Sequence, residues 1–419
     1  IMDKTTMKLK LLTLSTSIII ANSQLTLAAP NPFQDARSFA MGGTGVAAST
    51  PGSASFHNPA LLAIEHEEKH DGFGLIFPSV NAKIADDEAV VDQVDDIQDE
   101  IDTFNTAVNN NQISAAQASA GRLSDQFSKL DNDTVRADLG LGIALQIPNN
   151  KFAFGVFADS TVKGTVRGDI TSADLAYLDA VADGTLPPGE IDTGSGGTVN
   201  LTSSATAIVG IVTELGVSFA TGFDINGNNL TLGVSPKYMQ LVTYEYTADI
   251  ASFDEDDFDA GDYETDDNAF NLDVGAAYQF GNDGQWIAGF SIRNLIPTDL
   301  KTAQGTSMDV DPQATVGIAY TRDMFTLTSD LDLTENKAFG FEDDNQFISI
   351  GAEFDLADMA QFRVGARHNF GDSNGSEGIE EDSQLTAGLG FSPFGVHIEL
   401  SGLVSDTEYG AAAELGFTF

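Results

Sequence analysis

Two stretches of this chain have residue types and spacings that could bind a metal. In His66-Glu67-Glu68-Lys69-His70, two histidines lie four residues apart, the spacing at which a helix presents both imidazoles to Zn²⁺ while the glutamate activates a water. The stretch is charged throughout, so it has no apolar face with which to bury a helix. It also runs directly into Asp71-Gly72-Phe73-Gly74, where the first strand starts. We therefore interpret the match as fortuitous and predict no metal site.

The second stretch is Asp254 to Asp267, with nine acidic residues in fourteen. Carboxylate oxygens at that density are sufficient for Ca²⁺. The stretch lacks the glycine and terminal-glutamate spacing of an EF-hand loop, so no coordination sphere can be assigned. A solvated acidic outer loop is the favoured interpretation, and Ca²⁺ bridging at such loops is the alternative. We expect no other cofactor.

Nothing in the sequence supports an enzyme. No group of serine, histidine and carboxylate stands out, and the chain has five histidines and no cysteine in 419 residues. The lack of cysteine excludes disulfides and thiolate chemistry. A formal net charge of -44 argues against nucleic acid as a partner, because phosphate binding needs a basic surface.

The elements that must position any site are strands. Segments that alternate in polarity between turn residues number about fourteen, and their connections alternate between short and long. Tight periplasmic turns, long outer loops and an even strand count are typical of bacterial outer-membrane barrels. The predicted strands are 72–84, 135–147, 151–165, 201–221, 228–249, 269–281, 285–297, 307–321, 324–336, 345–356, 361–371, 383–391, 394–404 and 408–419.

The last strand shows the two faces clearly. Leu415 and Phe417 lie on one face, and Glu414 and Thr418 lie on the other. Such alternation suits a wall with lipid on one side and a polar lumen on the other. A closing strand that ends at the aromatic Phe419 resembles the assembly signal of Gram-negative outer-membrane barrels. A secreted soluble β protein is the alternative.

The N-terminal region predicts export followed by a plug. A basic start at Met7-Lys8-Leu9-Lys10, an apolar core and small residues at Thr26-Leu27-Ala28-Ala29 predict a signal peptide at 1–29, with Met7 as the true start. Residues 30–71 do not alternate like a strand. Since they enter from the periplasmic side, they can fold back as a plug inside a barrel formed by 72–419.

The first long connection predicts helices. Apolar residues recur at steps of three and four from Val90 to Val108 and from Ile113 to Leu130, on either side of Asn109-Asn110-Asn111-Gln112. We predict an antiparallel helical hairpin, inserted at 86–131. Two roles stay open: the seams of the hairpin pack together as a cap on the barrel mouth, or they offer a surface to a partner or to a hydrophobic solute.

The plug segment carries a resemblance to a known family. Ala36 to Ala47, with Met41-Gly42-Gly43, and Ser55 to Leu62, with Asn58-Pro59-Ala60, resemble the N-terminal hatch of the FadL-like (OMPP1/TodX) outer-membrane transporters. The chain is more similar still to the conjugal-transfer TraF-like branch, which also has segments like Ile292 to Pro297. The resemblance implies an all-β fold: a transmembrane, antiparallel barrel of about fourteen strands with an N-terminal plug, in the outer membrane of a Gram-negative bacterium. It implies a gate at Phe39, Met41, Gly42, Gly43, Asn58, Pro59 and Ala60.

Alternation along the strands predicts a charged lumen. Either its basic residues pair with carboxylates and brace the plug, or one or two of them contact a substrate carboxylate or another anion. The lumen bases are Arg136, Lys237, Arg293, Arg363 and Arg367, and the lumen acids are Asp138, Asp273, Asp330, Asp332, Glu353, Glu399 and Glu414.

Two functions fit this architecture. The first is passive uptake of hydrophobic or amphipathic small molecules through the plugged barrel, by plug displacement or through a lateral gap. The second is an assembly or interaction protein of a conjugation apparatus, with the barrel as scaffold and the helical hairpin as docking surface. The expected partners are outer-membrane lipids, a hydrophobic small-molecule ligand, and envelope or conjugation proteins.

Overall fold

The structure is a computed structural model. It describes residues 26–28, 30–64, 73–86, 90–186, 191, 199–250, 260–337, 339–341, 344–356, 359–371, 379 and 383–418. The zinc-like pattern at 66–70, Phe419, most of the predicted signal peptide and the acidic residues 254–259 lie outside this set.

Strands dominate the described chain. Fourteen of them close into one barrel, in which every strand is antiparallel to both neighbours. This confirms the predicted fold class. The strands are β1 (Thr26–Ala28), β2 (Gly74–Asp86), β3 (Thr134–Ile147), β4 (Ala153–Asp169), β5 (Ser204–Ile225), β6 (Asn228–Asp249), β7 (Glu264–Phe280), β8 (Trp286–Arg293), β9 (Thr298–Lys301), β10 (Ser307–Val310), β11 (Gln313–Arg322), β12 (Phe325–Asp332), β13 (Phe347–Leu356), β14 (Ala360–Asn369), β15 (Ser383–Phe391), β16 (Val396–Val404) and β17 (Glu408–Thr418).

Order around the barrel follows the chain. It runs from β2 to β8 and from β11 to β17, and it closes where β17 pairs with β2 and β8 pairs with β11. Since β2 begins and β17 ends at the same rim as the short turns, the long loops lie together at the other rim. We call these the short-turn rim and the long-loop rim.

The predicted strand 307–321 is wrong in one respect, because it is two strands. β10 pairs with β1 and β9 in a separate three-stranded sheet, and the barrel strand β11 starts only at Gln313. Pro312 stands between them. Proline has no N–H for a ladder and restricts the residue before it, so the chain turns there.

The outer wall of the barrel is apolar and the inner wall is polar. Phe270, Leu385 and Leu400 point outward and are 76%, 62% and 61% exposed, whereas Thr386 and Glu399, on the opposite face, are buried. Four aromatic rings form a row at the short-turn rim, with successive centroids 5.7, 6.3 and 4.8 Å apart. Aromatic side chains at such a rim suit the boundary between lipid and water. The row is Tyr278, Phe280, Trp286 and Tyr320.

Five α-helices accompany the barrel in the described chain, and the first two are short segments inside it. The hairpin predicted within the first long loop is present as α3 and α4. None of the described helices is both long enough and apolar enough to cross a membrane. The helices are α1 (Ala36–Ala40), α2 (Ala54–His57), α3 (Val90–Asn109), α4 (Ile113–Leu130) and α5 (Ser172–Ala182).

A three-helix cap, formed by α3, α4 and α5, stands at the long-loop rim. Phe104, Leu123, Phe127 and Leu178 are fully buried in its core. The third helix lies in the long connection between the predicted strands 151–165 and 201–221, for which no helix is predicted. From Ile97 to Val108 and from Ala116 to Leu130, the apolar seams of the hairpin are therefore buried within a three-helix core rather than by each other alone, whereas Ile113 is exposed.

Candidate functional site

Residues 30–64 lie inside the barrel, and we call this segment the plug. α1 contacts β2 and β14 to β17, and the 3-10 helix Pro59–Ala63 contacts β4 to β7. Asp35 caps α1, since its side chain accepts a hydrogen bond from Ser38 N at 3.1 Å. The plug therefore touches both sides of the barrel wall.

Asn58 lies at the centre of the contact between the 3-10 helix and the wall. Its side-chain oxygen accepts a hydrogen bond from Ala60 N at 3.1 Å, which caps the 3-10 helix, and Pro59 occupies the first helical position. Its side-chain nitrogen donates to Val46 O at 2.8 Å and to Ala276 O, on β7, at 3.2 Å. The Asn-Pro-Ala motif thus ties two parts of the plug to the wall.

Glycines in the wall make room for this motif. A methyl group at Gly233 would overlap Ala60 N, and one at Gly275 would overlap the side chain of Asn58. The plug backbone can approach β6 and β7 this closely only because these positions have no side chain.

The Met-Gly-Gly turn makes the contact on the opposite side. Phe39 and Met41 are buried, and Gly42 and Gly43 have φ of +71° and +85°, a region that favours glycine. Gly42 N donates to Thr386 Oγ1, on β15, at 3.0 Å. All seven predicted gate residues therefore lie at the surface between plug and wall, although their role as a gate is a proposal.

An ion-pair network joins the plug to the wall. The Arg37 guanidinium donates two hydrogen bonds, of 2.9 and 3.1 Å, to the carboxylate of Glu353 on β13. It also donates to Ala48 O at 2.6 Å. Arg363 binds the same Glu353 and also Glu399. Fork-shaped pairs of this kind are among the stronger polar contacts in proteins.

A carboxylate of the wall holds the middle of the plug. Asp330 Oδ2, on β12, accepts hydrogen bonds from Gly45 N at 2.7 Å and Val46 N at 2.9 Å. These two backbone N–H groups are not in a helix, so no helical carbonyl accepts from them. The Asp330 carboxylate supplies the acceptor instead.

Three of the predicted lumen bases are neutralised by carboxylates. Lys237 lies 2.8 Å from Glu214 and 2.9 Å from Asp273, and Arg363 bridges two glutamates as described above. Arg136 lies 3.0 Å from both Asp138 and Glu408. Arg363 is joined to the plug through Glu353, which also binds Arg37. The partners of Lys237 and Arg136 belong to barrel strands, so these two pairs lie within the wall.

Arg293 and Arg367 have other surroundings. Arg293 donates to Phe56 O of the plug and lies 3.3 Å from His57 Nδ1. Arg367 donates to Gln384 and stacks 4.3 Å over the ring of Phe347. Both line a polar lumen cavity of about 120 Å³, which also borders the plug.

His57 links the two ends of the plug. Its Nε2 lies 2.9 Å from Asp35 Oδ1, and burial lowers the pKa of His57 in spite of that carboxylate. A neutral imidazole that donates from Nε2 to Asp35 can accept from Arg293 at Nδ1, so this tautomer satisfies both contacts.

Above the polar cavity, an apolar layer fills the lumen near the long-loop rim, and we call it the mouth cluster. Along β6, the side chains of Lys237, Met239 and Leu241 all lie on the face of the strand that lines the lumen. Two loops fold inward and cover Met239 and Leu241. Phe339 is completely enclosed, and Phe341 is stacked under Arg167 at 4.1 Å. The cluster comprises Ile208, Val212, Met239, Leu241, Leu300, Met308, Val310, Phe339 and Phe341.

Comparison with known protein families shows which family the chain belongs to. The family described as "F plasmid transfer operon, TraF, protein" matches residues 55–332, which is more than half of the chain. The chain belongs to this TraF family. The match starts inside the plug and ends with β12, so it includes Asn58, Arg293 and the three-helix cap.

Solved structures with this fold add a second comparison to the TraF match. The Ralstonia pickettii toluene transporter TbuX is 14% identical, with a TM-score of 0.52 over 92% of this chain and 98% of that one. The Pseudomonas putida toluene transporter TodX is 10% identical, with a TM-score of 0.50 over 95% and 99%. A Pseudomonas aeruginosa FadL homologue is 10% identical, with a TM-score of 0.50 over 94% and 99%. At these identities the likeness shows the FadL-like fold of this TraF-family chain. No curated protein sequence matches it.

Sequence reasoning missed the mouth cluster and the plug's own charged residues. Met239 and Leu241 share the period-two phase of Lys237, so a search for apolar residues in lumen phase could have found them. The pairing of Arg37 with Glu353 had no such signal, because it joins positions 316 residues apart. No group of three or more metal-binding side chains occurs among the residues that the structure describes.

Proposed function

We propose that this TraF-family protein is an outer-membrane channel for passive uptake of hydrophobic or amphipathic small molecules. In this proposal, residues 1–29 are removed on export, 30–71 act as plug and 72–419 form the barrel. The mouth cluster captures the solute, and the plug around Asn58-Pro59-Ala60 is the gate. The observation that carries the proposal is the mouth cluster, a layer of nine buried apolar side chains inside the lumen near the long-loop rim.

The polar lumen below the mouth cluster limits the route. The Arg37–Glu353 ion pair joins the plug to the wall, and the cavity of about 120 Å³ beside the plug is lined by the charged side chains of Arg293, Arg367, Asp330 and Asp332 among others. An apolar solute gains nothing by entering such a region. Passage therefore requires displacement of the plug or a lateral exit through the wall. The strand ladder shifts register at Phe77-Pro78 of β2, beside the plug, which marks a candidate exit.

Binding of radiolabelled dodecanol to the nanodisc-embedded protein tests the capture step. The double variant Val212→Thr, Met239→Gln makes the mouth cluster polar, and we expect its affinity to fall about tenfold, since roughly 1.4 kcal/mol of apolar contact is lost. The matched control Val364→Thr, Met359→Gln makes the same changes at exposed positions outside the lumen. Equal binding by both variants would contradict the proposal, as would no binding by the wild type.

A second candidate function is envelope assembly in conjugation. The TraF description names a plasmid transfer operon, and the three-helix cap presents an acidic helix with exposed Asp96, Asp99 and Asp102 at the long-loop rim. In this alternative the barrel is a scaffold and the cap is a docking surface. Retention of envelope transfer proteins by the intact chain but not by a cap-deleted chain would favour it over uptake.

A further inference from the structure

Asp159 is a buried carboxylate on the lumen face of β4. It is 8% exposed, and it makes no hydrogen bond or ion pair with any residue that the structure describes. Directly opposite it on β5 is Glu214, a second carboxylate, and opposite it on β3 is Gly142, which has no side chain to offer. Like charges that face each other across two strands destabilise a sheet. Asp159 therefore needs a positively charged group that its neighbours in the wall do not supply.

Asp159 borders a small cavity between the plug and the wall. The cavity has a volume of about 30 Å³, and four other charged residues line it: Glu214, Asp273, Lys237 and Arg293. Lys237 already lies 2.8 Å from Glu214 and 2.9 Å from Asp273. Arg293 donates to a backbone carbonyl of the plug. Three carboxylates thus line the cavity with two cations, and the carboxylate without a partner is Asp159.

The size and the other walls of this cavity suit a small organic cation. At roughly 10–15 Å³ per water-sized sphere, the cavity holds one primary ammonium group with about one water. Its lining includes the rings of Phe33, Phe56 and Phe157, and aromatic rings attract ammonium groups. A trimethylammonium group is larger than the cavity.

The mouth cluster continues from this cavity. Val212 and Val310 belong to the cluster and also line the cavity. Val212 precedes Glu214 by two residues on β5, so both side chains lie on the lumen face of that strand. An ammonium group at Asp159 would therefore place an attached alkyl chain against the mouth cluster.

The long-loop rim carries charge of the sign that attracts such a solute. Exposed carboxylates stand along α3 and at the start of β7, in a chain with 63 acidic and 19 basic residues. A surface of one sign raises the local concentration of solutes of the opposite sign. The exposed carboxylates are those of Asp96, Asp99, Asp102, Glu264, Asp266 and Asp267.

We propose that Asp159 binds the primary ammonium head group of a cationic amphipathic solute whose apolar tail lies in the mouth cluster. The inference rests on the proposed uptake function and names its solute class, an alkylammonium ion. The bound head group balances the charge of the cavity and donates the charge-assisted hydrogen bonds that Asp159 lacks. Lys237 shows the same chemistry beside it, because its own ammonium group is held by Glu214 and Asp273.

Ligands that share a dodecyl tail test the head-group site. The protein is embedded in nanodiscs of zwitterionic lipid at a pH of about 7, where an alkylamine is protonated as a lysine side chain is. We expect it to bind dodecylammonium about tenfold more tightly than dodecanol, the effect of one charged hydrogen-bonded contact. Dodecyltrimethylammonium, which has the same charge on a larger head group, should show no such gain. Empty nanodiscs give the partition of each ligand into the lipid.

Substitutions at Asp159 assign the gain to this carboxylate. Asp159→Asn keeps the shape of the side chain and removes its charge, so the preference for dodecylammonium should disappear while dodecanol still binds. Asp159→Glu keeps the charge and should retain part of the preference. The control Asp169→Asn removes an exposed carboxylate from the long-loop end of the same strand and should leave the preference unchanged.

The outcomes separate this inference from the uptake function. Equal affinity for dodecylammonium and dodecanol would overturn the inference and leave uptake intact. A gain that dodecyltrimethylammonium shares, or that survives Asp159→Asn, would assign the attraction to the acidic surface and would also overturn it. Failure to bind any of the three ligands would instead count against the uptake function itself.

Discussion

At the scale of single residues, Asn58 joins parts of the plug to each other and to the wall with three hydrogen bonds. It caps the 3-10 helix and ties it to Val46 and to β7. Asn58→Ala removes three hydrogen bonds and leaves buried acceptors unpaired, so we expect the local stability of the plug to fall by about 2–3 kcal/mol. Hydrogen exchange of residues 54–64 measures this loss. Asn110→Ala, at the exposed tip of the helical hairpin, is the control and should leave plug exchange unchanged.

His57 makes the plug sensitive to acid. Burial lowers the pKa of His57 in the folded protein, whereas an unfolded chain has a value of about 6.5. Unfolding of the plug therefore takes up a proton below that pH, so its stability is full above a pH of about 6.5 and declines as the pH falls. We expect faster exchange of residues 54–64 at a pH of about 5.5 than at about 7.5, after correction for intrinsic rates. His57→Gln, which can still donate to Asp35 but does not titrate, should reduce this difference, and an undiminished difference would contradict the assignment.

At the scale of elements, the inward loop at 333–346 covers the apolar wall of the mouth cluster. Phe341 N donates to Thr165 Oγ1, on β4, at 3.3 Å, and Asn336 and Asn345 exchange backbone hydrogen bonds of 2.8 and 2.7 Å at the base of the loop. The loop thus reaches across the lumen from a closed base, and its tip packs where we expect the solute.

Truncation of that tip should uncover the wall. Phe339→Ala removes a fully buried ring at a local cost of about 3–5 kcal/mol, so we expect faster exchange in the loop and more binding of an environment-sensitive apolar dye. Phe391→Ala, which removes a half-exposed ring from the outside of the barrel, is the matched control. Unchanged dye binding in Phe339→Ala would show that the wall is not a capture surface.

Removal of the three-helix cap distinguishes the uptake function from the assembly function. Its core draws on few barrel residues, because its buried side chains come mostly from α3, α4 and α5 and the segments beside them. Replacement of residues 90–130 and 172–182 by short polar turns should therefore leave the barrel folded. If the mouth cluster captures the solute, this variant should take up dodecanol at no less than about half the wild-type rate. Loss of uptake in a heat-stable barrel would instead assign the capture step to the cap.

The sequence predicted the wall better than the contents of the barrel. The alternation of polar and apolar residues is a local property of the sequence, so all fourteen barrel strands could be predicted. The same alternation predicted that residues such as Arg363 and Glu399 face the lumen. α5 was missed because an isolated eleven-residue helix has weak periodicity and forms by packing on α4. The tie between Arg293 and Phe56 depends on how the plug folds back, which no short-range pattern records.

At the scale of the whole molecule, the barrel is closed on three levels: the cap above the rim, the mouth cluster inside it, and the plug across the short-turn half of the lumen. The outer wall is apolar and each described strand of the barrel is paired on both sides, so no sheet edge is left to meet lipid. Such a molecule is suited to a membrane and shut at rest. Under the proposed uptake function, solute entry exchanges contacts within the protein for contacts with the solute.

A structure of the nanodisc-embedded protein with 12-bromododecanol tests this account most directly, because anomalous scattering or density locates the bromine independently of the protein. We expect the bromine in the mouth cluster near Met239 and Phe339 displaced, with the barrel wall unchanged. A lumen that is open without ligand, or bromine found only on the lipid-facing surface, would contradict the account.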